Sequence, residues 1–323
     1  MKKILVLLLL FSLSAQVTGV CAALLAPPTA EQTDVLIAGA KTDAKAVQTI
    51  KNHANKGNAL GQFALGALYA NGDGVPQDKG QAVLWTRKAA EQGLARAQLN
   101  LGSMYDSGHG VAKDATQAVR WYRLAAEQGN AHAQYNLSAM YLNGEGVATD
   151  DVQAAIWARK AAELGHAQAQ VNLGMMFASG QGVRKSDADA VRWYRSAAEQ
   201  GLALAQYNLA VRYANGQGIA KNEGQAVRWF RQAANQGDES AQYNLAVRFE
   251  NGTGVAQSRV VAFALYDVAA ATLAKAKENR ANIGGKMSAG EISAAQKLSG
   301  EMVAPNNFLT ALDRYVAKVS VKE

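Results

Sequence analysis

Apolar positions recur along this chain with two nested periods. Within short stretches they fall at i, i+4 and i+8, and the stretches themselves return every 36 residues, six times without insertion. In the block that opens at Gly93, Ala97, Leu101 and Tyr105 mark one face of a first helix, predicted over residues 94–106. Gly102 has no Cβ and lets a paired helix approach closely. Ser107-Gly108-His109-Gly110 then breaks the helix, because two glycines adopt positive φ without steric cost. Val111 is expected to tuck under the turn. Asp114 suits the N-cap of a second helix, which runs to Glu127 with Ala118, Trp121, Ala125 and Ala126 turned inward. Gly129 stops it and opens the next block.

The same skeleton returns at fixed offsets. Gly57, Gly93, Gly129, Gly165, Gly201 and Gly237 open the blocks, and Leu65, Leu101, Leu137, Leu173, Leu209 and Leu245 hold one position. A second position reads Tyr69, Tyr105, Tyr141, Phe177, Tyr213 and Phe249. Five blocks place a tryptophan at one offset (Trp85, Trp121, Trp157, Trp193, Trp229), and the chain has no other. Aromatics at strict helical spacing read as packing residues. A short unit repeated without insertion predicts an all-α solenoid, each helix pair burying its apolar face against its neighbours.

Both ends depart from the unit. Residues 31–55 carry Val35, Ile37, Ala44, Val47 and Ile50 in a loose helical pattern, read as an N-terminal cap split near residues 41–43. In the last block Leu265 replaces Trp, Ser258 replaces the Asp cap, and residues 260–271 are apolar almost all round. Such a helix needs covering, so a cap packed on its outer face is expected. The helix is read as continuing to Ile283 and ending at Gly284-Gly285. Ser288 and Glu291 have capping-box spacing, Pro305-Asn306-Asn307 breaks that helix, and residues 308–319 form a last one.

The first residues have the pattern of a secretory signal. Lys2 and Lys3 precede an apolar stretch, residues 4–13, and a small-residue region at 20–23. That stretch is shorter than the roughly 20 residues that cross a bilayer. Cleavage after Ala22 or Ala23 would remove Cys21, the lone cysteine, leaving no disulfide and no thiolate ligand. Lipid anchoring at Cys21 is disfavoured, since Val20 stands where a lipobox has a small residue. The expected organisation is a signal peptide at 1–23, a lead segment and helical cap at 24–56, six repeats at 57–272 and a C-terminal cap at 273–323. Loss of Lys2 and Lys3 takes the formal charge from +7 to +5, too diffuse a balance to argue for nucleic acid. Beyond that stretch no apolar segment of membrane length follows.

Ala97 to Gly129 resembles throughout the Sel-one-like repeat, a relative of the tetratricopeptide repeat, and the resemblance extends over residues 57–272. It implies a right-handed α-α superhelix, a role as an adaptor in protein complexes, and export in many bacterial members. One secreted branch bridges its helix pairs with disulfides and is linked to β-lactam chemistry. A mature chain without cysteine does not fit that branch.

Variation between copies points to a binding stripe. Positions 4, 7, 11 and 14 of the first helices lie on one face, away from the constant Leu and Tyr. By the resemblance this face lines the concave groove. The partner-binding candidates are Arg96, Leu99 and Asn100 in the second copy, His132, Tyr135 and Asn136 in the third, and Gln168 and Met175 in the fourth. Tyr207, Asn208 and Tyr243 continue the series. An aromatic floor with scattered polar groups suits an extended or helical peptide. The Asn series either bonds a peptide backbone or bonds the adjacent repeat; both readings stay open. On the second helices Arg87, Arg123, Arg159 and Arg195 stand four residues before Glu91, Glu127, Glu163 and Glu199, a spacing read as solvated i, i+4 pairs.

No catalytic constellation emerges. The Gly-x-Gly loops lack the Gly-Lys-Ser/Thr of a phosphate loop. Asp73 and Asp78 are not matched in the fifth copy, which has Gln217 and Asn222. His53, His109, His132 and His166 lack metal-ligand spacing, and Ser-x-x-Lys and Gly-x-Ser-x-Gly are absent. No cofactor is expected. The favoured reading is a monomeric, exported, non-catalytic scaffold for a protein partner, periplasmic or secreted. The alternative is an envelope enzyme or a peptidoglycan- or glycan-binding protein, including β-lactamase-like activity.

Overall fold

A computed structural model describes residues 30–320, with side chains to residue 318. The signal-peptide reading, the Cys21 reading and the cleavage region fall outside the described residues. Among the described residues there are 17 helices and no strand, so the fold is the expected all-α array of helix–turn–helix repeats. No helix among them is long and apolar enough to cross a membrane.

The chain divides into two compact units between Thr149 and Asp150. The first carries α1 (Ala30–Gly39), α2 (Ala44–Asn55), α3 (Ala59–Asn71), α4 (Lys79–Glu91), α5 (Ala95–Ser107), α6 (Ala115–Glu127) and α7 (Ala131–Asn143). The second begins with α8 (Asp151–Glu163), α9 (Ala167–Ser179), α10 (Asp187–Glu199), α11 (Ala203–Asn215), α12 (Glu223–Asn235) and α13 (Glu239–Asn251). It ends with α14 (Arg259–Ala269), α15 (Ala274–Gly284), α16 (Ala289–Met302) and α17 (Phe308–Ser320). Within each unit, every helix packs against the next in sequence except α16 on α15, where α16 packs on α14 instead.

Local signals set the helix limits. Asp78, Asp114 and Asp150 each accept the backbone N–H three residues on, at 2.9–3.0 Å, and Ser186, Asn222 and Ser258 take over that cap in later copies. Each first helix ends on a left-handed glycine such as Gly108, φ +74°. His166 caps α9 through its imidazole Nδ1, an unusual use of histidine. The recurring Leu is fully buried in all of Leu101, Leu137, Leu173, Leu209 and Leu245, each contributing about 1.5–3 kcal/mol of apolar transfer. Gly102 meets its expected role: a Cβ there would lie 2.6 Å from the Tyr122 ring.

Successive hairpins are joined by a buried amide. Gln98 Nε2 donates to the Ala90 carbonyl at 3.2 Å, and the bond returns as Gln134 to Ala126, Gln170 to Ala162, Gln206 to Ala198 and Gln242 to Ala234. In four copies the Gln side-chain oxygen accepts in turn from a second amide thirty residues on, as Gln128 donates to Gln98 at 2.7 Å. Each of these carbonyls also accepts the backbone N–H of the glycine three residues on, as Gly93 donates to Ala90 at 3.0 Å, so the amide takes its second lone pair.

The ends follow the sequence reading with one correction. The N-terminal cap is a helix pair split as expected, with Asp43 capping α2. The Ser288–Glu291 capping box is formed, and α16 covers α14, where Phe263, Leu265 and Tyr266 are buried. The continuous helix expected through Ile283 instead breaks at residues 270–273 and restarts as α15. Thr272 and Leu273 occupy the places that Gln236 and Gly237 hold one period earlier. The 36-residue register thus imposes its turn without a glycine.

The second loop glycine is there for packing. In Gly129→Ala the added Cβ meets nothing within 4 Å and only the φ of +85° resists it. In Gly146→Ala it would fall 2.2 Å from the Ala115 carbonyl oxygen. Left-handed backbone costs an L-residue about 1–2 kcal/mol, so Gly129→Ala should lower the unfolding free energy by about that amount and Gly146→Ala by clearly more. Urea denaturation of the two variants checks the order, and equal midpoints would refute the close-approach role.

Candidate protein-binding surface

The eleven stripe residues lie on α5, α7, α9, α11 and α13, and none is fully buried. In the first unit Arg96 is already engaged: it pairs with Asp34 of α1 at 3.0 Å and lies over the Phe63 ring. Leu99 is half-buried and Asn100 exposed. His132 is exposed beside the half-buried Tyr135 and Asn136. Burial pushes the Tyr122 phenol up to about 12, the Asp106 carboxylate adds to this, and Ser103 and Asn136 act against it. Asn136 therefore serves the neighbouring repeat.

In the second unit Gln168 reaches Asn172 on its own helix, and Met175 is 49% exposed. Tyr207 stacks at a tilt on Phe230 of α12, centroids 5.9 Å apart, and Tyr243 stacks likewise on Tyr266 of α14 at 5.6 Å. These contacts fix the rings by one face. Asn244 donates to the Ser240 carbonyl on its own helix at 2.8 Å and also helps hold down the Tyr207 phenol. Asn100 and Asn208 make no side-chain hydrogen bond. The series of five thus splits: Asn136, Asn172 and Asn244 engage neighbouring side chains or backbone, and Asn100 and Asn208 do not.

The geometry brings Tyr207 and Tyr243 together in one pocket. With Ser240, Asn244, Leu273, Ala274 and Lys275 they line a cavity of about 290 Å³. Asn279 of α15 donates to both the Tyr243 and Tyr266 hydroxyls at 3.2 Å, and Tyr266 donates to Glu250 at 2.6 Å. Burial raises the pKa of Tyr207, and burial followed by Glu250 raises that of Tyr266, so both phenols stay protonated donors at neutral pH. Lys275 Nζ lies 5.6 Å from the Tyr243 ring centroid. Lys275 and Asn279 escaped the sequence reading because they lie beyond the repeats. Extending the 36-residue register past the sixth copy would have placed the α15 start.

The second-helix arginines require a correction. No ion pair joins Arg87, Arg123, Arg159 or Arg195 to the glutamate four residues on. Instead Arg87 donates to the Tyr105 hydroxyl at 2.7 Å, Arg123 to Tyr141 at 2.7 Å and Arg195 to Tyr213 at 3.3 Å, each bond crossing to the next repeat. A partly buried acceptor on packed structure outcompetes an exposed carboxylate, whose pairing gains little against solvent and side-chain entropy. The further positive charges Arg120, Arg192 and Arg228 lie over the adjacent Trp rings at 4.8–5.6 Å.

The Sel1 repeat family model matches six consecutive stretches: residues 59–94, 95–130, 131–166, 167–202, 203–238 and 239–271. The chain belongs to the Sel1 repeat family. Sel1 repeats typically serve in protein–protein interaction. Among solved structures, a Sel1 repeat protein from Oxalobacter formigenes is 33% identical, over 74% of this chain and 96% of its own, with a TM-score of 0.64. A protective antigen of uropathogenic Escherichia coli with an SLR fold is 24% identical, covering 94% and 97%, with a TM-score of 0.49. A comparison with curated proteins finds no match.

In this Sel1 array the Arg–Tyr bond is testable by itself. Tyr105→Phe removes the acceptor of Arg87 and should cost about 0.5–1.5 kcal/mol, the net worth of one such bond. A lowered urea midpoint checks it; an unchanged one would make the bond ornamental to stability.

Proposed function

We propose that this Sel1 chain is an exported, non-catalytic, monomeric scaffold that holds a protein partner on the variable stripe of its first helices. One observation carries the reading: the cavity that joins Tyr207 and Tyr243 to Lys275. Two aromatic edges, a hydroxyl, an amide and one ammonium around an apolar floor suit a peptide segment with an aromatic or aliphatic anchor. Because each tyrosine ring rests on a second-helix aromatic, little side-chain entropy is lost when a partner covers it. The apolar stretch at residues 4–13, behind Lys2 and Lys3, supports export. Among the described residues no group of His, Cys, Asp and Glu could hold a metal ion.

Crosslinking in intact cells, with the wild-type chain and a Tyr207→Ala, Tyr243→Ala double variant, tests the stripe. The wild type should capture one protein in stoichiometric yield from the envelope or medium fraction, and the double variant should lose it about tenfold or more with its helical spectrum intact. Equal capture by both would overturn the stripe. Retention on purified peptidoglycan, with no protein captured, would replace the scaffold reading by the glycan-binding one.

A further inference from the structure

Copies of one unit serve as internal controls, and the fourth departs from the rest in a concerted way. Arg159 occupies the place from which Arg87, Arg123 and Arg195 donate to a tyrosine hydroxyl. Eighteen residues on it meets Phe177, whose ring offers no acceptor. Its guanidinium carbon lies 5.2 Å from that ring's centroid, and its N–H groups make no hydrogen bond within the described residues. Arg231, which precedes Phe249 by the same interval, is instead held by Asp313 of α17. Arg159 is therefore the member of the series left without a polar partner.

Two further changes fall on the same spot. Arg184 stands where the other loops carry Pro76, Ala112, Ala148, Ala220 and Ala256. Ser186 caps α10 where Asp78, Asp114 and Asp150 cap the earlier second helices, which removes a negative charge. Arg159, Phe177, Val183, Arg184, Lys185, Ser186 and Asp189 line a pocket of about 570 Å³. Three cations face one carboxylate there, and Asp189 already leans on Arg192 at 3.7 Å. Losing an acceptor and gaining a cation act in one direction, while Asp189, where other copies have Gln81, Gln117, Gln153 and Gln225, returns the one charge that Ser186 removes.

We propose that this pocket docks an acidic segment of a protein partner, with a glutamate or aspartate carboxylate seated on Arg159 and Arg184. A guanidinium that rests its face on an aromatic ring keeps its N–H edges outward, the geometry that grips a carboxylate with two bonds. Phe177 and Val183 give the methylenes of the acidic side chain an apolar wall. Asp189 at the rim favours a singly charged carboxylate over a phosphate dianion. The site shares no residue with the first-helix stripe and stands or falls separately from it.

Fluorescein-labelled hexaglutamate, titrated with the full chain at low ionic strength and followed by anisotropy, provides the test. Saturable binding is expected, weakened about tenfold by Arg159→Gln or Arg184→Ala. Phe177→Tyr should weaken it about threefold or more while preserving or raising stability, since the restored hydroxyl recaptures the guanidinium. Lys221→Gln, at the equivalent loop of the fifth copy, should leave binding unchanged. Wild-type affinity in both Arg159→Gln and Phe177→Tyr would overturn the site. Displacement of the peptide by inorganic phosphate at lower concentration than by free glutamate peptide would overturn the choice of a carboxylate ligand.

Discussion

The seating of one hairpin on the next depends on a single buried side chain, the glutamine near the start of each first helix. The Ala90 carbonyl in the last helical turn already accepts from the Gly93 N–H at 3.0 Å and keeps a second lone pair, whereas a glutamine amide buried unpaired costs about 1–3 kcal/mol. The Gln98 amide answers the Ala90 carbonyl of the preceding hairpin, and its own oxygen is answered by Gln128. The polar demand of a buried amide thereby becomes a register bond between hairpins. Leucine packing alone would tolerate sliding along a greasy face; a directional bond between two specific atoms does not. The small residues around it, Ala89, Ala90 and Ala97, are fully buried and let the two backbones come close enough for the amide to reach.

A second strap, arginine to tyrosine hydroxyl, adds to this frame without being required everywhere. The glutamine bond occurs in copies that have the strap and in copies that lack it: Gln170 reaches Ala162 in the same hairpin junction where Arg159 finds only Phe177. The junction is held by the amide, so the arginine is released from structural duty. In a repeat protein this is the physical route to a specialised site: redundant contacts allow one copy to give up a bond while the stack stays in place.

Legibility followed distance along the chain. Helix starts and stops were readable because their causes are local: Asp114 caps a backbone three residues away, and Gly108 supplies a left-handed residue at the break. The burial of Leu101 and Trp121 was readable from periodicity, since packing repeats when sequence repeats. The arginine role was not legible, because the glutamate four residues on shares its helix while the tyrosine that takes the bond lies eighteen residues on, in the next repeat. The α14–α15 break was missed for a related reason. It has no glycine or proline at Leu273 and is imposed by the packing of the stack. Of the stripe, the positions were visible but their occupation was not: nothing near Arg96 in sequence announces Asp34, sixty-two residues away.

That last contact bears on how the two ends of the stripe differ. At the N-terminal end the stripe's cation is neutralised by α1, and Phe63 beneath it is 6% exposed. At the other end α15 brings an unpaired cation, Lys275, to a stripe that already carries two tilted tyrosines. The two caps therefore do opposite things to equivalent surfaces. One closes the stripe with an internal salt bridge whose exposed partners contribute little stability. The other builds a walled cavity in which Asn279 braces the Tyr243 and Tyr266 hydroxyls. The Tyr243 hydroxyl accepts from Asn279 and keeps its own proton for a further acceptor, whereas Tyr266 gives its proton to Glu250. Tyr243 and Lys275 are therefore the donors this end of the stripe can offer, and Arg96 at the other end is already paired with Asp34.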